Sequence, residues 1–163
     1  MRIRPALESE APEFSALVAA SKQHWGYSAE QMEGWRAGLT ITAEYLAGGS
    51  AFVAELGDRA VGFYSLLCTD DWWQLDHLWV LPEYMNRGIG RAMLAHAQSS
   101  AVRGRARGIM IDADPYAEPF YLAAGAHRSG IIAAPIPGYP DRIRPQLILP
   151  VAQLEIAVTP DAR

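Results

Sequence analysis

The sequence predicts a mixed α/β domain built on one sheet, and three observations carry that prediction. Periodic segments follow one another as strand, helices, three strands, helix, strand, helix and two strands. Half of the 163 residues are apolar and a fifth are charged, an ordinary globular mix in a chain long enough to bury a core. There is no internal repeat, low-complexity linker or second domain, so one domain over residues 1–163 is expected, with residues 155–163 as a loose tail.

Each element has a local reason. Residues 1–5 form a short edge strand that Pro5 limits. Residues 12–22 put Phe14, Leu17, Val18 and Ser21 at helical spacing, and Gly26 breaks the pattern. Ser28, with Gln31 three residues on, is the N-cap of a second helix with Met32, Trp35 and Leu39 on one face. Thr42 caps a short third helix that ends at Gly48-Gly49. The runs AFVAEL (51–56) and RAVGFYSLL (59–67) flank Gly57-Asp58 as a hairpin, and WWQLDHLWV (72–80) is a third, aromatic-rich strand. A helix from 88 to 102 carries Ile89, Met93, Ala97 and Ser100 on one face and stops at Gly104. GIMIDA (108–113) is a strand, 117–124 a short helix closed by Gly125, and HRSGIIA and PQLILPV are the last two strands, joined by the loop PIPGYPDRIRP (135–145).

Composition narrows the function. A formal net charge of −4 argues against a large nucleic-acid surface, and Arg103, Arg105 and Arg107 read as a solvated helix end. One cysteine, Cys68, permits no disulfide framework; its place in a strand-like run suggests a small buried hydrophobe. The first residues lack the apolar core of a signal peptide, and no apolar run approaches the roughly 20 residues a bilayer requires. A cytoplasmic protein that binds neither membrane nor nucleic acid is expected.

The most informative stretch runs from Leu78 to Ala97. An apolar strand leads into Met85-Asn86-Arg87-Gly88-Ile89-Gly90-Arg91, which opens a helix. Amides at a helix start are unpaired and the dipole is positive there. Gly88 and Gly90 let a phosphate approach the main chain, with Arg87 and Arg91 adding charge, so a pyrophosphate is the natural ligand. A Walker A loop fits poorly, because Arg91-Ala92 stands where Lys-Ser/Thr is needed. A dinucleotide fingerprint fits poorly too: two of its three glycines are present, and the nearest acidic candidate is Asp112.

This stretch resembles the acetyl-CoA-binding motif A of the GNAT (Gcn5-related N-acetyltransferase) superfamily, Q/R-x-x-G-x-G/A. Gly88 and Gly90 match its glycines, Met85 stands where Gln or Arg is usual, and Asn86 where Gly is common. DADPYAEPFYLAAG (112–125) resembles the family's motif B through Ala117, Phe120, Tyr121 and Gly125, with Tyr116 where Asn is frequent. The similarity spans nearly the whole chain. It implies the GNAT fold: a central, mostly antiparallel sheet of six to seven strands flanked by helices, with a splayed strand pair holding CoA.

The same resemblance implies the site. Main-chain groups of Leu78, Trp79 and Val80 would bind pantetheine as an added strand. Met85, Asn86, Arg87, Gly88, Ile89, Gly90 and Arg91 would cradle the phosphates, and Tyr116, Phe120 and Tyr121 would line the rest of the CoA site. Acetyl transfer to an amine needs a base, because a lysine-type amine with a pKa near about 10.4 is protonated at neutral pH. Asp76 is the first candidate and His77 the second. Strand alternation should turn just one of them to the site, while Glu118 reads better as an acid at a helix start. The Val80 amide would stabilise the oxyanion and Tyr121 would protonate the leaving thiolate. His24, Trp25 and Tyr27, with Asp76, would meet the acceptor; Trp25 could equally plug the core. The loop 135–145 would cover that side through Asp141, Arg142 and Arg144.

The expected function is therefore an acyltransferase that moves an acetyl group from acetyl-CoA, as co-substrate and without a metal, to a primary amine of a small molecule or peptide. The alternative is a catalytically silent acyl-CoA sensor that keeps the cradle alone. Dimers are common in the superfamily, and the edge formed by the last strands is the candidate contact surface for a homodimer.

Overall fold

A computed structural model describes residues 1–151, so the tail expected from residue 155 lies outside the described residues. The strands are β1 (Arg2–Pro5), β2 (Ala51–Leu56), β3 (Arg59–Leu67), β4 (Trp72–Val80), β5 (Gly108–Asp112), β6 (His127–Ala133) and β7 (Ile143–Pro150). The helices are α1 (Ala11–Gln23), α2 (Ala29–Leu39), α3 (Ala43–Ala47), α4 (Ile89–Arg103) and α5 (Glu118–Ala123). None of them is long and apolar enough to cross a membrane.

The seven strands form one sheet in the order β1-β2-β3-β4-β5-β7-β6. Every neighbouring pair is antiparallel except β4–β5, which is parallel and joined through α4. The last strand thus inserts between β5 and β6. Both faces of the sheet are covered. Phe14, Leu17 and Val18 of α1 pack with Val53 and Phe63 on one face, where the Phe14 and Phe63 rings stack 4.8 Å apart. Met93, Leu94 and Ala97 of α4 pack with Val61, Tyr64 and Ile109 on the other. This double covering explains why β3 reads as a continuous apolar run and is buried from Ala60 to Leu66. Each such side chain, once fully buried, contributes about 1.5–3 kcal/mol.

Local signals set the helix starts. Ser28 Oγ accepts from the Gln31 amide while the Gln31 side chain accepts from the Ser28 amide, closing the expected capping box. Thr42 Oγ1 accepts from the Tyr45 amide. One expectation fails. Cys68 is exposed, because β3 ends at Leu67 and the cysteine falls in the turn beyond it.

Two irregularities in β4 open the sheet near its middle. Ser65 pairs with His77 and Leu66 with Leu75, which leaves Asp76 as the extra residue of a β-bulge. Pairing with β5 runs from Trp72 through Leu75 and stops there. The two strands therefore part at the bulge.

Candidate active site

Beyond Leu75 the β5 side of β4 has no partner strand, and the register shows which main-chain groups face the gap. The Leu81 amide donates to the Val61 carbonyl (2.9 Å), so Val80 and Gly62, which lie opposite each other, exchange no hydrogen bonds. Alternation then turns the N–H and C=O groups of Leu78 and Val80 toward the gap, and those of Trp79 toward β3. A cavity of about 1210 Å³ opens here, lined by residues 75–80 of β4, Ile111 to Asp114 at the end of β5, the start of α4, and Phe120 and Tyr121 of α5.

At one end of the cavity is the start of α4. Asn86 (φ 60°) and Gly88 (φ 81°) take left-handed conformations as the chain turns into the helix. Asparagine and glycine are the residues that tolerate this. No side chain caps the helix. Its first intrahelical acceptor is the Gly88 carbonyl, taken by the Ala92 amide at 3.0 Å, so the amides before Ala92 are orphaned. A Cβ at position 90 would lie 3.4 Å from the Phe120 ring and 3.7 Å from Val80 Cγ2, so glycine keeps the floor of the cavity open there. Unpaired donors at the positive end of a fifteen-residue helix, with Arg91 on the lining, fit a pyrophosphate.

Two candidate proton-transfer groups line the cavity, Tyr121 on α5 and Asp76 on β4. Tyr121 is almost fully buried, and its hydroxyl has no hydrogen-bond partner among the described residues. Burial, and secondarily the Asp114 charge, raise its pKa well above that of an ordinary tyrosine. On β4, Asp76 accepts a hydrogen bond from Tyr45 (2.5 Å), whose oxygen in turn lies 2.7 Å from Ser65 Oγ. The bulge overrides the expected alternation, since Asp76 and His77 both line the cavity with Oδ2 and Nε2 3.7 Å apart. Trp79 Nε1 donates to His77 Nδ1 (2.9 Å), so the neutral ring carries its proton on Nε2, facing Asp76. Burial lowers the His77 pKa despite the neighbouring carboxylate. His77 thus has no free lone pair with which to take a proton, whereas Asp76, partly exposed, does.

The far end holds the aromatic and charged groups. Trp25 stacks on Tyr116 with ring centroids 5.4 Å apart and planes 4° from parallel, so Trp25 forms cavity wall and does not plug the core. Lys22 forms a buried ion pair with Asp114 and lies over the rings of Tyr27 and Trp35, at 4.6 and 4.2 Å. Asp114 also accepts from the Tyr27 hydroxyl (2.8 Å) and the Tyr116 amide (3.1 Å), and Arg142 approaches it to 3.5 Å. Asp112 accepts from Arg144 and Gln146.

Most of the residues expected from the sequence meet in this cavity: Leu78, Trp79, Val80, Met85, Asn86, Gly88, Gly90, Arg91, Tyr116, Phe120 and Tyr121 on the cofactor side, and Trp25, Asp76 and His77 on the other. Four do not line it. Arg87 is exposed and lies over the Tyr84 ring at 5.3 Å, and the Ile89 side chain is in the core, leaving its amide alone for the cradle. His24 is exposed, edge-on to Trp25, and Tyr27 is buried behind the wall as a partner of Asp114. Glu118 is paired with Arg128 (2.7 Å). Sequence reasoning missed Lys22, Asp114 and Tyr45. Lys22 had a usable signal, because it continues the buried stripe Phe14, Val18, Ser21, where a cation requires a partner.

Comparison with known proteins agrees with this geometry. The profile of the family described as "Acetyltransferase (GNAT) domain" matches residues 47–125. No curated protein matches the chain in sequence. A GCN5-related N-acetyltransferase structure from Rhodopseudomonas palustris superposes with a TM-score of 0.75 at 24% identity, covering 91% of this chain and 94% of that one. PaiA N-acetyltransferase from Thermoplasma acidophilum, solved with coenzyme A, gives 0.70 at 17% identity, covering 91% and 98%. The ribosomal-protein-S18-alanine N-acetyltransferase of Escherichia coli gives 0.67 at 16%, covering 96% and 97%. At these identities the structural likeness is one of fold. The segment 47–125 is thus similar to a GNAT acetyltransferase domain, and the chain as a whole has the fold of these structures.

Proposed function

We propose that the chain is an N-acetyltransferase that moves an acetyl group from acetyl-CoA to a primary amine by direct attack in a ternary complex. The observation that carries this reading is the parting of β4 and β5 at the Asp76 bulge, with an uncapped helix start at one end of the resulting cavity. Acetyl-CoA supplies the thioester. The Gly88-Ile89-Gly90-Arg91 amides and Arg91 hold its pyrophosphate, and the Leu78 and Val80 main-chain groups pair with its pantetheine arm. Asp76, positioned by Tyr45, takes the proton that the ammonium must lose. The Val80 amide faces the oxygen on which charge develops, and Tyr121 donates its proton to the departing sulfur.

Calorimetry tests this reading. Acetyl-CoA and CoA should bind, ATP should bind far more weakly, and Gly90→Leu should weaken CoA binding roughly tenfold or more by filling the cavity floor. Preference for ATP, or unchanged CoA affinity in the folded Gly90 variant, would remove the cradle assignment. CoA binding without acetyl transfer to any amine would favour the sensor reading. Asp76→Asn should lower kcat/KM on the order of 100-fold and flatten its rise with pH, since proton removal from the amine then falls to water. An unaltered pH–rate profile would assign the base elsewhere.

A further inference from the structure

We infer that the acceptor carries a carboxylate beside its amine, and that Lys22, Arg142 and Arg144 at the far end of the cavity read that carboxylate. The inference rests on the acetyltransferase reading and adds the substrate class to it. Five charged groups line this end: Lys22, Arg142 and Arg144 against Asp112 and Asp114. Three cations against two carboxylates leave one positive charge in a chain whose formal net charge is −4. A singly charged anion balances it, whereas a phosphate dianion would reverse it.

The donors are also available. Lys22 Nζ has three N–H groups and spends one on Asp114. Arg142 gives one bond to the Ala134 carbonyl (3.2 Å) and a long one to Asp114 (3.5 Å), so most of its five N–H donors are unspent. The side chains of Lys22 and Arg142 are both 9% exposed, so a carboxylate meeting them would be largely removed from water. Burial pulls the Lys22 ammonium below its ordinary pKa even beside Asp114, and Arg142 and Arg144 repel it further. A bound anion relieves that repulsion. The β4 wall has the opposite sign, since Asp76 stands there to meet the ammonium. A zwitterion therefore matches the cavity at both ends, and a polycationic amine is opposed at one of them.

The test uses the twenty amino acids, each against its own α-carboxamide, titrated calorimetrically into the CoA-loaded protein so that no turnover is needed. At least one acid should bind tenfold or more tightly than its amide, the size expected for charged hydrogen bonds in a desolvated site. Arg144→Gln should bring that ratio close to one while the Kd for CoA stays unchanged. Arg142→Gln is the second variant, because Arg144 is the more exposed of the two. Equal binding of acids and amides across the panel overturns the inference, as does a CoA-binding chain that takes up none of them. So does an acid preference that survives both substitutions, which would leave the cluster a structural tie between α1 and β7. Failure of the wild-type chain to bind CoA overturns instead the acetyltransferase reading on which the inference depends.

Discussion

Tyr121→Phe should lower kcat by on the order of 100-fold or more while leaving the Kd for acetyl-CoA unchanged. General acid catalysis by a positioned side chain is worth about 10²–10⁴-fold. The substitution removes one oxygen from a ring that packs edge-on against Phe120 at 5.0 Å, so it leaves the volume of the α5 wall intact. Burial and the Asp114 charge raise the phenol pKa, which keeps the proton on the oxygen throughout the neutral range. The wild-type kcat should consequently show no alkaline decline from loss of this acid at ordinary assay pH. Steady-state kinetics beside calorimetry separate the possibilities. An unchanged kcat removes Tyr121 from the chemistry, and a Kd that rises in step with the loss of rate reduces it to a binding contact.

Asp114→Ala should destabilise the fold by about 3–5 kcal/mol, the usual result of leaving one charge of a buried pair without its partner. For a chain of this size that corresponds to a fall in Tm on the order of 10 °C. The carboxylate accepts from Lys22, Tyr27 and the Tyr116 amide, so its loss frees groups on α1, on the segment before α2 and after β5. The pH dependence has a definite sign. Burial would raise the Asp114 pKa, but the Lys22 charge and hydrogen bond, with those from Tyr116 and Tyr27, outweigh it and hold the group below the usual carboxylate value. Its contribution is therefore present above the unfolded-state pKa of about 3.9 and is lost as the pH falls through the lower folded value. Denaturant unfolding at neutral and acid pH checks both points: the gap between wild type and variant should be widest near neutrality and shrink in acid. The double variant Lys22→Met/Asp114→Ala should recover part of the loss. A single variant as stable as wild type would show that the pair contributes nothing net.

The parts of the fold legible in the sequence are those set by neighbours in the chain. Gly57-Asp58 fixes the β2–β3 hairpin, Ser28 with Gln31 fixes the start of α2, and Gly88 and Gly90 fix the start of α4. The same locality made the uncapped start of α4 readable, because its free donors are consecutive amides. The bulge was not readable. It depends on how β3 and β4 register, and nothing near Asp76 announces that Ser65 will pair with His77 and Leu66 with Leu75. Strict alternation consequently misjudged Asp76 and His77, which share the cavity. The cluster of Lys22, Asp114 and Arg142 was hidden for a related reason. Its members come from α1, from the end of β5 and from the segment before β7, and folding alone brings them together.

The sheet also has a seam. β1 to β4 form one antiparallel meander, β5 to β7 a second antiparallel unit, and four residue pairs between β4 and β5 are the backbone pairing that joins them among the described residues. A ligand seated in the gap beyond Leu75 would lengthen that join, acting as a missing piece of strand between two halves that otherwise meet through half of β4 and through the core under α4. Occupancy would then be a mechanical property as well as a chemical one: a filled gap would stitch along its centre a sheet whose backbone pairing the bulge leaves open.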